Sequence, residues 1–171
     1  FSLPTPFPSE NRKITIINEV STLYRNRNSS APRIAQIIEE IVAIHSGNYL
    51  VFFPSFEFLN IVAKYLNPSG YQLLIQERTM GDHSRNAFLD SLAESDQSHL
   101  LLGVQGGVFA EGVDYLGKLA VGVIIVGPGL PKMNYENHLI RRYFQEQSGQ
   151  GFEYAYLFPG MNRVIQSAGR V

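Results

Sequence analysis

The stretch Gly106–Pro131, GGVFAEGVDYLGKLAVGVIIVGPGLP, decides the fold. A glycine-rich turn, a Glu–Gly–x–Asp element and an apolar run follow one another directly. Paired Gly106 and Gly107 permit positive φ and let an anion or a nucleic-acid backbone come close to the main chain. A tight turn without a ligand is the plainer alternative. Glu111 and Asp114 flank Gly112 and Val113, two acceptors placed to hold a ribose hydroxyl, a metal-bound water or an arginine. They suit helix capping equally well. Val121–Val126 then reads as a buried apolar strand, full burial of each of its valines and isoleucines being worth about 1.5–3 kcal/mol.

Outward from this stretch, strands alternate with helices. Lys13–Asn18 (KITIIN) is a β-rich run, preceded by an entering linker over residues 1–12 that Pro4, Pro6 and Pro8 keep out of helix. A loop at Ser29–Pro32 leads to a helix with Ile34, Ile37, Ile38 and Ile41 on one stripe, ending at Gly47. Tyr49–Phe53 (YLVFF) is a buried strand, and Ser55 can cap a helix carrying Leu59, Val62, Ala63 and Leu66. Tyr71–Ile75 and Leu100–Val104 are further strands, around a helix at Ser84–Ala93 that turns Phe88, Leu89 and Leu92 inward. A helix at Asn134–Gln147, a strand at Tyr154–Phe158 and a helix from Met161 close the pass. Connections too long for hairpins favour an open, mostly parallel sheet covered by helices on both faces. Functional loops in such sheets lie beyond the carboxyl ends of the strands, where Ser55, Gly106–Asp114 and Gly127–Pro131 all fall.

The 171 residues suit one domain, residues 13–171 after the linker, and the 44% apolar and 17% charged content is that of a globular protein. A net charge of −1 supplies no global basic field, so any nucleic-acid contact must be local. With no cysteine, disulfides, zinc–thiolate sites, iron–sulfur ligation and thiol catalysis are excluded from this chain. His45, His83, His99 and His138 lack paired ligand spacing and read as surface or loop residues, so no metal site is expected. No apolar run reaches the length of a membrane helix.

The last helix carries a second signal, QSAGRV from Gln166 to Val171. Met161, Val164, Ala168 and Val171 share a side spaced for packing on the sheet. Arg163, Gln166 and Arg170 gather on the opposite side. Gly169 falls inside this pattern at about 1 kcal/mol relative to alanine, which suits the close approach of a partner. A solvated polar face is the plainer reading of the same spacing.

Three of these stretches resemble one family. LVFFPSFEFL (Leu50–Leu59) resembles helicase motif IV of the XPD/DinG branch of superfamily 2. GGVFAEGVDYLG is similar to its motif V, and QSAGRV to the start of its motif VI, Gln-x-x-Gly-Arg-x-x-Arg. The likeness extends through Thr22–Arg27, Gln76–Met80 and Gly151–Pro159, in a style nearer the bacterial DinG-like members. It implies a RecA-like three-layer α/β/α domain, the second motor lobe of an ATP-dependent 5′-to-3′ DNA helicase in the cytoplasm of a bacterium. ATP and Mg²⁺ would lie in a cleft shared with a first RecA-like domain supplying the main ligands, and in many members an iron–sulfur cluster. By the resemblance, Arg170 is an arginine finger projecting into that cleft, and Gln166 and Gly169 belong to the nucleotide site. Glu111 and Asp114 line the cleft, and Ser55, Gly106 and Gly107 meet the backbone of single-stranded DNA.

The motif's second arginine would lie beyond Val171, so the chain reads as a piece of a longer protein, inactive by itself. Its lack of a Gly-x-x-x-x-Gly-Lys-Ser/Thr loop agrees with that. The alternative from another class is a non-catalytic RecA-like binding or scaffold module. A dinucleotide enzyme would need a Gly-x-Gly-x-x-Gly turn after the first strand, and none is present.

Overall fold

Tyr49–Phe53, apolar at every position, forms β1 and is buried along its whole length. The computed structural model of the chain describes residues 13–170 except Leu116 and Lys118, so the expected linker over 1–12 and Val171 lie outside the described residues. On one side β1 pairs with β3 (Ser98–Val104), on the other with β4 (Gly122–Ile125), and β2 (Tyr71–Ile75) flanks β3. All pairings are parallel and the order is β2-β3-β1-β4. The register Phe53↔Val104 sets the carboxyl ends of β1 and β3 side by side.

Alternation along the strands divides the core in two. Tyr49, Val51, Phe53, Leu100 and Leu102 face α1 (Arg27–Val42) and α2 (Phe56–Ala63). Leu50, Phe52, Leu74 and Leu101 face α3 (Asp82–Glu94) and the loop after β3, against Leu92, Phe109 and Val113. The result is a three-layer α/β/α sandwich, as the alternating pattern implied. α4 (Tyr135–Ser148) ends on Gly149, whose left-handed φ of 73° closes the helix through a bond from its N–H to the Gln145 carbonyl.

Five expectations about the elements are corrected. Lys13–Asn18 is irregular, with Ile14 and Ile16 well exposed, because β-propensity without a neighbouring strand forms no ladder. The expected loop at Ser29–Pro32 lies within α1. Ala31 is fully buried there and Arg27 is stacked on two rings, so tertiary anchoring overrides the proline. That helix ends at Val42, ahead of Gly47. β4 is shorter than Val121–Val126 and only half-buried, because it pairs with β1 alone and sits at the sheet edge. Tyr154–Phe158 is no strand: Glu153–Leu157 is a π-helical turn running into α5 (Phe158–Ala168). The aromatic residues there satisfy two periods. Spacing by two suggested a strand, but Phe152/Tyr156 and Tyr154/Phe158 are also four apart, and Tyr154 stacks on Phe144 of α4 at 4.0 Å.

The face of α5 is corrected in part. Gly160 and Ser167 are buried, and Arg163, Val164 and, past the helix end, Arg170 are half-buried, whereas Met161, Ile165, Gln166 and Ala168 are exposed. Gly160 leaves room for Leu130, and the arginines carry polar tips to loop carbonyls, so a polar stripe becomes the packed one.

Candidate functional site

The carboxyl end of the sheet gathers three loops, beginning with Ser55. Its extended backbone caps α2, and its Oγ accepts from the Phe58 N–H and from Arg27 Nη1, both at 3.3 Å. The Arg27 guanidinium lies 5.3 Å from the Tyr24 ring centroid and 4.9 Å from that of Phe58, a cation held by two aromatic faces.

Gly106 and Gly107 follow β3. Gly106 has φ of 72°, which only glycine adopts without strain, and its missing Cβ would stand 3.7 Å from Glu111 Oε1 and 4.0 Å from Arg163 Nε. Gly107 has a different role. A Cβ there would lie 2.8 Å from Gln76 Nε2, so the glycine makes room for that buried amide. The third loop, Gly127–Gly129, is stapled by Gln105. Its Nε2 donates to the Gly127 carbonyl at 2.6 Å and its Oε1 accepts from the Gly129 N–H at 2.7 Å. Arg163 Nη1 donates to the Gly129 carbonyl at 3.0 Å.

The Glu111–Asp114 loop is gripped from two sides. Arg170 Nε donates to the Ala110 carbonyl at 2.8 Å and its Nη1 to the Val113 carbonyl at 3.2 Å. Arg85 Nη2, from α3, donates to the Gly112 carbonyl at 3.3 Å. Tyr115 donates its hydroxyl to the Phe109 carbonyl at 3.0 Å. Burial pushes the Tyr115 phenol far above its usual range, and nearby Arg85 and Arg170 only partly oppose this.

The projection expected of Arg170 is therefore corrected: its guanidinium folds back onto its own domain, because the carbonyls of the preceding loop accept two of its donors. Asp114 approaches it at 3.9 Å but is 86% exposed, and Glu111 and Gln166 are exposed as well. Gly169 is the C-cap of α5, not a mid-helix residue, with an ordinary φ of −79°. Its Cβ position meets only the helix's own carbonyls at 3.4 Å and beyond, so close approach does not require glycine there. The structure thus joins Gly106, Glu111 and Arg163 in one group, and Asp114 and Arg170 in another across the same loop. Ser55 stands at the neighbouring strand end, and Gln166 joins neither group. His99 departs from the surface reading: it is buried in β3, its N–H bonded to Asn48 Oδ1 at 2.8 Å, and burial lowers its pKa. Among the described residues no group of three or more His, Asp or Glu is arranged to hold a metal ion. None of their helices is long and apolar enough to cross a membrane.

Residues 38–171 match the model of the helicase C-terminal domain. The chain belongs to this family. It is 27% identical over 168 residues to the ATP-dependent DNA helicase CHL1 of Debaryomyces hansenii, covering 86% of this chain and 20% of that protein. It is 30% identical over 129 residues to the probable ATP-dependent helicase MJ0942 of Methanocaldococcus jannaschii, covering 72% of this chain and 19% of the relative. This helicase C-terminal domain thus spans about a fifth of the length of those relatives. A solved XPD helicase structure superposes with a TM-score of 0.70 at 20% identity, over 89% of this chain and 27% of that one. At that identity the likeness concerns the fold, and the fold is RecA-like.

Sequence reasoning left Gln76, Arg85, Gln105 and Tyr115 out of the site of this helicase domain. A signal existed for both glutamines, since each directly follows an apolar strand and neither is a common turn residue. No local pattern marks Arg85, which reaches its carbonyl across 27 positions of sequence.

Proposed function

We propose that this domain is the second motor lobe of an ATP-dependent, 5′-to-3′ DNA helicase. ATP and Mg²⁺ bind where it faces a first RecA-like domain, and single-stranded DNA crosses the strand ends at Ser55, Gly106 and Gly107. The observation that carries the reading is a double grip by α5 and the turn that follows it. Arg163 of α5 holds the Gly127–Gly129 turn and Arg170, just past the helix end, holds the Glu111–Asp114 loop, so one short segment ties together two loops at the carboxyl edge of the sheet.

In this reading Arg170 is both the arginine finger and a latch. To reach a γ-phosphate the guanidinium must give up loop carbonyls for phosphate oxygens, and the freed loop then shifts against the DNA backbone. Charge stabilisation of this kind is worth about 10³–10⁵ in the rate of phosphoryl transfer. Backbone contacts at the glycines are independent of base sequence. The phosphate loop and the magnesium ligands belong to the first lobe. An iron–sulfur cluster, where the whole protein has one, finds no ligand here, since this chain has no cysteine.

The test is Arg170→Ala in the full-length protein. DNA-stimulated ATP hydrolysis falls by at least about 10³ while ATP binding persists. Arg85→Ala loosens the same loop without removing the phosphate donor, so it lowers DNA stimulation and spares basal hydrolysis. Undiminished turnover in Arg170→Ala refutes the assignment.

A further inference from the structure

Between the first turn of α2 and the carboxyl end of β2 lies a cavity of about 520 Å³, lined by Phe56, Glu57, Asn60, Gln76, Glu77 and Arg78. Its volume is within the roughly 300–1,000 Å³ of small-molecule sites. The Arg78 guanidinium stands 5.0 Å from the Phe56 ring centroid, giving the cavity a stacking wall. Gln76 is 5% exposed, and its orientation is fixed because Oε1 accepts from the Val104 N–H at 3.0 Å. Its NH₂ group is therefore directed away from that bond, and among the described residues no group accepts from it. Gly107 leaves the space that this amide occupies.

We infer that this cavity is a nucleobase subsite, taking one unstacked base that carries an exocyclic amine beside a ring acceptor, as adenine and cytosine do. The inference rests on the single-stranded DNA reading above and names which part of the strand this surface holds. Two carboxylates against one guanidinium repel a phosphate, which leaves an uncharged planar heterocycle as the matching ligand. Such a ring stacks on Phe56 or on the Arg78 plane, as unpaired bases do on aromatic and guanidinium faces. Glu57 or Glu77 accepts from the amine and the Gln76 NH₂ donates to the neighbouring ring atom. Ser55, adjacent in sequence to Phe56, keeps the backbone contact beside the base contact. One nucleotide is then held at both ends.

The experiment titrates the full-length protein with short labelled thymidine strands carrying one adenine, or one abasic site, at successive positions. At one position adenine should bind about tenfold tighter than the abasic site, with thymine between them. In Phe56→Ala and in Arg78→Ala that preference should fall below about twofold. Because the preference is a ratio within one variant, partial unfolding of Phe56→Ala cancels. Absence of any discriminating position, or full discrimination surviving in Arg78→Ala, overturns the subsite and leaves DNA binding standing. Failure of the wild-type protein to bind any strand overturns the DNA reading and the subsite with it.

Discussion

Replacing Arg170 by alanine should release the loop that the rest of the site is built around. The side chain is 21% exposed and donates to the carbonyls of Ala110 at 2.8 Å and Val113 at 3.2 Å. A hydrogen bond from a charged donor contributes about 1.5–3 kcal/mol net. Water reaches the freed carbonyls once the partly exposed side chain is gone, which offsets part of the loss. The Asp114 contact at 3.9 Å adds close to nothing, because that carboxylate is 86% exposed. The loop should therefore lose about 2–4 kcal/mol of local stability, an increase of about 30- to 700-fold in its opening equilibrium. Amide hydrogen exchange reads this directly at Ala110 and Glu111, whose N–H groups bond to the Gly107 carbonyl at 2.9 and 3.1 Å. Arg170→Lys keeps the charge but not the fork, so one bond survives and exchange should lie between the two extremes. Exchange at both amides within about threefold of wild type in Arg170→Ala would refute the latch.

Gly107→Ala should cost about 1–3 kcal/mol in urea unfolding, because the new methyl meets Gln76 and Val104 at 2.8 Å. Gly112→Ala is the contrast: nothing lies within 4 Å, so only its φ of 70° opposes a side chain, at about 1–2 kcal/mol. His99 has its pKa lowered by burial, so its contribution to stability is complete above the unfolded value of about 6.5 and is lost as pH falls through the folded value. Urea midpoints should drop on acidification below about pH 6.5 in the wild-type domain, and less steeply in His99→Gln. Phe53→Ala, at a fully buried position between the sheet and α2, should cost about 3–5 kcal/mol and lower the thermal midpoint accordingly.

Where one physical signal dominated, the sequence was legible. An uninterrupted apolar run marks a strand buried on both faces, and Tyr49–Phe53 appears with those bounds. Tyr71–Ile75 also appears with the expected bounds, although it lies at the sheet edge. Ser55 caps its helix as a serine before an apolar turn should. Legibility failed where two periods fitted the same residues, as at Tyr154–Phe158. It failed again where a partner absent from the local pattern set the outcome, as for KITIIN and for Pro32. The family motifs fall on loops at the carboxyl ends of the strands. They did not reveal which side chains hold those loops, since Gln76, Gln105 and Arg85 act across 22 to 28 positions of sequence.

The chain order of apolar runs, glycine turns and helical stripes by itself determined a parallel, helix-covered sheet with glycine-rich loops at the strand ends, because periodicity and turn chemistry are local properties. The direction in which α5 faces, and with it the inward fold of Arg170, was decided only in three dimensions. A long cationic side chain can turn to water or to carbonyls with nearly equal ease. The orphan carbonyls of the Glu111–Asp114 loop exist as partners only after the loop and the helix have been brought together.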